Sequence, residues 1–211
     1  MAFDYTLLAS ARSDQELMER VDNRQKYTPE TVEASLAELQ HRGKEFSDEE
    51  LRYINEDMQA RSRNAALINS RIGVFNSDYK YAIVEDPDAP LMYSRITIYI
   101  FTVLLGALFG SIMMAINIAK TGRNNAVAGV ILFGVGFTVV QIFVLNSMSN
   151  PSGSLSIVFA FISAFCLDYL FWKPYIGYSS FYRSRPIWVP LIIGVVLAAL
   201  LVFAILSGVQ K

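Results

Sequence analysis

The chain has little with which to do covalent or metal chemistry. Its 211 residues include one cysteine, Cys166, and one histidine, His41. A single cysteine cannot close an internal disulfide, and a single histidine with no cysteine beside it cannot build the usual Cys/His zinc set. Acids are scarce in the second half: of 19 Asp and Glu, 18 precede residue 96 and only Asp168 follows. Phosphate-cradling glycine loops, HExxH and GxSxG are missing, which leaves no pattern for nucleotide, metalloprotease or serine-hydrolase chemistry. The first 30 residues also lack the basic start and apolar core of a cleaved secretion signal. The reading is therefore of a nonenzymatic protein, with no catalytic residues, no cofactor and no metal.

What the chain does have is apolar length. The hydrophobic fraction is 53% and the mean hydropathy +0.34, high for a soluble domain. Residues 1–95 hold 12 of the 18 Lys and Arg and carry net charge −6; the remaining 116 carry six bases and one acid, net +5. Four apolar segments lie in that second part, at 96–119, 126–146, 154–172 and 187–207. A helix of about 20 residues crosses a hydrocarbon core roughly 30 Å thick, so the expected fold is an all-α membrane protein: a four-transmembrane-helix bundle with a small N-terminal helical module. Short connections between spans predict antiparallel neighbours. Gly106 and Gly110 on the first span and Gly129, Gly134 and Gly136 on the second are the candidate helix-packing positions, because small residues let helix backbones approach in lipid.

Four alternating spans would put Arg95 and the SMSNPSG loop on one side, and KTGRNN and KPYIGYSSFYRSRP on the other. Asp168 then lies near the second side, as a tether whose candidate partners are Lys120, Arg123 and Lys173. Arg183, Arg185, Trp172 and Trp188 form a basic and aromatic belt of candidate lipid-headgroup contacts. Two orientation rules conflict in this layout. The bases favour the second side in the cytoplasm, whereas a charged N-terminal segment that is not translocated favours the first. The N-terminal region is placed in the cytoplasm.

That region, 1–70, reads as a soluble acidic module. Ser13-Asp14-Gln15-Glu16 and Ser47-Asp48-Glu49-Glu50 are capping boxes, and Thr28-Pro29-Glu30 is an N-cap with proline at the first helical position. Helices of about 13–25, 28–42 and 47–68 follow from these starts. Their apolar stripes are Leu17 and Val21; Val32, Leu36 and Leu39; and Leu51, Ile54 and Met58. Residues 71–95 form a connector, either a short strand pair or an irregular segment along the membrane surface. Its EDPDAP stretch reads as a turn-rich break.

The stretches APLMYSRITIYIFTVLLGALFGSIMMAINIAKTG and YRSRPIWVPLIIG resemble a group of uncharacterised bacterial inner-membrane proteins, with an Ala-Pro-x-x-Tyr-Ser lead-in to the first span. The resemblance covers roughly residues 87–207, and SDQEL with YTPETVEASLAELQHRG resembles short helical segments of that group. It implies a multi-pass location in the bacterial inner (plasma) membrane and transfers no activity. The expected role is an anchoring or interaction subunit that assembles with itself or a membrane complex. Its partners would be membrane lipids and a protein, which is a second copy or another chain, and not nucleic acid. The alternative is a small oligomeric transporter or channel, in which Asp168 would line the path; a membrane-embedded enzyme ranks behind both.

Overall fold

The three capped starts all open helices. In the computed structural model, which describes residues 4–70, 82–148, 153–177 and 181–208, a short helix α1 (Tyr5–Ser10) comes first. Then follow α2 (Asp14–Asp22), a 3₁₀ turn at Arg24–Lys26, α3 (Pro29–His41) and α4 (Asp48–Ser70). The Ser13 hydroxyl accepts from the Glu16 amide while the Glu16 carboxylate accepts from the Ser13 amide, and Ser47 and Glu50 repeat the exchange. Each box satisfies two of the amides that a helix start leaves orphaned. Leu17, Val21, Val32, Leu36, Leu39, Ile54 and Met58 come together with Ala9 as one buried cluster. α1, whose start is capped by Asp4, was not anticipated, because six residues are too few to show a helical period.

The larger correction concerns the first apolar segment. It is not one helix: α5 (Arg95–Leu105) and α6 (Ala107–Lys120) are separated by Gly106 at φ 89°, ψ 172°. That combination is essentially restricted to glycine. The two limbs fold back on each other, because their partners recede symmetrically from the turn. Near it, Phe101 stacks on Phe109 with ring centroids 5.8 Å apart. Far from it, the Tyr93 amide donates to Asn117 Oδ1 (2.9 Å) and the Asn117 amide donates to Tyr93 O (2.8 Å). At 1.5 Å per residue the limbs are roughly 16 and 21 Å long, too short to cross a bilayer.

The chain continues through α7 (Asn124–Asn146) and α8 (Gly153–Leu167), which runs on as a π-helix over Asp168–Ile176. β1 (Leu91–Met92) pairs in parallel with β2 (Arg183–Ser184), and α9 (Trp188–Gly208) ends the described chain. Among the described residues the fold is all-α apart from this two-residue ladder and a single bridge between Ile83 and Tyr182. Among the described residues two helices are long and apolar enough to cross a membrane, Asn124–Asn146 and Gly153–Ile176, not four. α9 is apolar over Trp188–Leu200.

The glycines have separate jobs. Gly106 makes the turn rather than a helix contact. A Cβ on Gly110 would overlap the Thr102 side chain on the facing limb, and one on Gly134 would come within 2.5 Å of Ser111 Cβ on α6. Gly136 meets nothing within 4 Å, and Gly129 only Phe171 at 4.0 Å, so neither sets a close approach. Gly110→Ala is therefore expected to lower stability by about 1–3 kcal/mol through overpacking, read as an earlier thermal transition in detergent. Gly136→Ala is the matched control and should leave the transition unmoved; equal shifts from both would refute the close contact.

Candidate functional site

Charged groups gather at the open end of the hairpin. Arg95 is the first residue of α5, where a cation is opposed by the positive end of the helix dipole, so it needs an anion nearby. Asp168 supplies it: Arg95 Nε and Nη2 donate in a fork to the two carboxylate oxygens. The side chains are only 12% and 10% exposed. Lys120, Arg123 and Lys173, the partners the sequence suggested, are not the partner found. The parity of four spans had put Arg95 on the far side; folding the first span into a hairpin brings it to Asp168.

Each expected tether residue has another place. Arg123 Nη1 donates to Pro174 O at 2.6 Å. Lys173 Nζ lies 5.2 Å from the Tyr169 ring centroid, and Lys120 ends α6 exposed. Pro174 explains the widened helix. It has no amide proton to give the α ladder and its ring crowds the preceding turn. The chain passes through i→i+5 bonding instead, closing with the Gly177 amide on Trp172 O at 3.0 Å. Gly177, at φ 85°, then turns the chain away.

Trp172, expected at the lipid headgroups, is 3% exposed and packs edge-on against Tyr182, centroids 6.1 Å apart. It is a core residue because the segment carrying Tyr182, which covers it, is held down by the ladder. The Val84 amide donates to Tyr182 O (3.0 Å), the Tyr182 amide to Ala82 O (2.8 Å) and the Arg185 amide to Met92 O (2.8 Å). Arg185 stacks over Tyr93 at 5.0 Å, Arg183 is half-buried in the ladder, and Trp188 stands exposed at the start of α9.

The second charged assembly was missed in the sequence. The EDPDAP stretch is a plug that docks the helical module, not merely a break; residues 71–81 of the expected connector lie outside the described residues. Asp86 is fully buried at the start of α3, where the helix dipole favours an anion. It accepts from the Thr28 amide (3.1 Å) and the Thr31 hydroxyl (2.5 Å) through Oδ2, and from the Asp88 amide (2.9 Å) through Oδ1. Asp88 receives Arg20 Nη2 at 2.7 Å and Arg12 Nη2 at 3.0 Å. Arg20 is 4% exposed, and its place beside Leu17 and Val21 on the buried stripe of α2 was the available signal. A charge there requires a partner.

Arg61 on α4 reaches the same joint. It donates to Arg24 O (2.5 Å) and Tyr27 O (3.0 Å) and stacks over Phe181 at 5.4 Å. Phe181 in turn packs with Ala65, Val84 and Ala89. Burial lowers the Arg61 pKa from its ordinary value. Burial also pushes the nearby Tyr5 phenol up to about 12, with the carboxylates of Glu30 and Asp86 adding to the shift.

These groups are arranged to hold elements together. Both Asp168 oxygens are engaged by one guanidinium, and both Asp86 oxygens by amides and a hydroxyl. Among the described residues no group of three or more His, Cys, Asp or Glu is placed to hold a metal ion. No protein-family model, curated protein or solved structure matches the chain.

Proposed function

We propose that this chain is a nonenzymatic integral membrane protein of the bacterial inner membrane that presents its helical module as a rigid docking platform. It would assemble with a second copy or with a membrane complex. The observation that supports this is the Asp86 and Asp88 plug. A module on a loose tether needs no buried carboxylates to fix its angle, and here two carboxylates, two arginines and an N-cap fix it. A shallow hollow on the module is lined by Pro29, Glu33, Asn55, Met58, Gln59 and Arg63.

The hairpin also supports a cytoplasmic module. With both limbs opening to one end of a membrane-embedded bundle, the module would fall on the same side as Lys120, Arg123, Lys173, Arg183 and Arg185. The excess of bases and the charged module then both favour the cytoplasm.

A transporter or channel is the second reading, favoured by the interrupted α5–α6 pair, since broken helices commonly form transport sites. Against it, Thr102 bonds to Ile98 O (2.6 Å) and Asn117 to Tyr93, so these polar groups are used within the hairpin.

The test is a photo-crosslinking residue at Tyr53 or Gln59, both exposed on α4, in membranes of cells making the full chain. A discrete protein adduct from both positions, lost in Asp88→Ala while the protein stays in the membrane, is the expected result. Lipid adducts alone, or salt flux from vesicles carrying the pure protein, would overturn the platform reading.

A further inference from the structure

The outer face of the hairpin is apolar and open. Ile100, Leu104, Leu108 and Ile112 are all exposed, Leu104 beside the turn by 71%. Arg95, Lys120, Arg123 and Arg185 lie at the opposite, open end. Limbs of roughly 16 and 21 Å reach from about half to about seven-tenths of the way through a hydrocarbon core of about 30 Å. The length, the apolar face and the basic rim together match one leaflet of a bilayer with anionic headgroups.

We propose that the hairpin is a one-sided wedge whose occupant is the lipid of that leaflet, and that the protein accordingly favours membrane that is convex on the side of the helical module. α7 and the α8 helix with its π extension thread both leaflets and add equal cross-section to each. α5 and α6 add theirs mainly to the near leaflet. With a helix diameter of about 10 Å, each limb contributes on the order of 80 Å². The imbalance is built in, because Gly106 cannot relax to a straight helix without losing the Tyr93–Asn117 pair and the Arg95–Asp168 fork.

This inference rests on the membrane reading above, and the test separates the two. Full-length protein carrying a dye at Gln59→Cys, with Cys166→Ser, is reconstituted in giant vesicles of phosphatidylcholine and phosphatidylglycerol, and narrow tethers are drawn outward. Dye quenching by an impermeant reductant identifies the outward-facing modules. Outward-facing molecules are expected to be at least twofold denser in the tether than in the vesicle body, and inward-facing ones depleted. Leu104→Asp, at an exposed tip position, should abolish this sorting while the protein stays in the vesicle. Equal density in tether and body, or sorting unchanged by Leu104→Asp, overturns the wedge and leaves the membrane reading intact. Protein that fails to float with vesicles in a density gradient overturns both. Protection of a Leu104→Cys label from a lipid-phase quencher would place a protein surface on the face and would also overturn the wedge.

Discussion

Replacing Asp88 with alanine is expected to cost about 3–5 kcal/mol, the range for breaking a buried ion pair by deleting one partner. The loss comes less from the missing attraction than from what remains. Arg20 is 4% exposed and would be left without its carboxylate among Leu17 and Val21. Arg12, which shares Asp88 at 3.0 Å, would turn to solvent at small cost. Hydrogen exchange on the full chain in detergent reads the result. The amides of α2, α3, Val84 and Ala89 should lose protection together, while α6 and α7 keep theirs. Asp88→Asn, which still accepts from one guanidinium, should fall between the two. Protection unchanged in Asp88→Ala would mean that the plug is not what fixes the module.

The other large effect belongs to Arg95 and Asp168. Asp168→Ala leaves a guanidinium at a helix N-terminus, where the dipole opposes it, and is expected to cost about 3 kcal/mol or more. The double change Arg95→Met with Asp168→Leu should recover most of that loss, since it removes both desolvation costs at similar volume. Thermal unfolding of the parent, Arg95→Met, Asp168→Leu and the double variant in one detergent gives the coupling. Additive losses would exclude a direct pair. The structural role also changes what Asp168→Asn can report. A loss of function in that variant would not diagnose transport, because the carboxylate already holds the base of the hairpin.

Much of the helical module was legible because its signals are local. A hydroxyl three residues before a glutamate states where a helix starts, and the apolar stripe states which face is buried. The membrane half was legible only as apolar length. Gly106 and Gly110 lie on adjacent turns and read as a packing pair, and nothing within that run distinguishes a straight span from a hairpin. The decisive contact, Tyr93 with Asn117, joins residues at its two ends. The error then propagated by parity, since one span counted in place of a hairpin moves Arg95 to the wrong side of Asp168. Asp86 and Asp88 were read as turn residues because their partners, Thr28, Thr31, Arg12 and Arg20, stand 55 to 76 positions earlier. Trp172 was judged by its basic neighbours in sequence, while Tyr182, which covers it, arrives on a different segment.

The parallel ladder has a consequence for the order of events during synthesis. Residues 82–84 and 90–92, which surround the docking plug, take their backbone partners from 182–185. Those partners leave the ribosome only after α7 and α8. The module's own core, with contacts close in sequence, can form early, but its final seat is completed by a closure spanning roughly 90 to 100 residues. Pairings at such separation form slowly. Until those later residues are made, the module is therefore a folded body not yet locked in place.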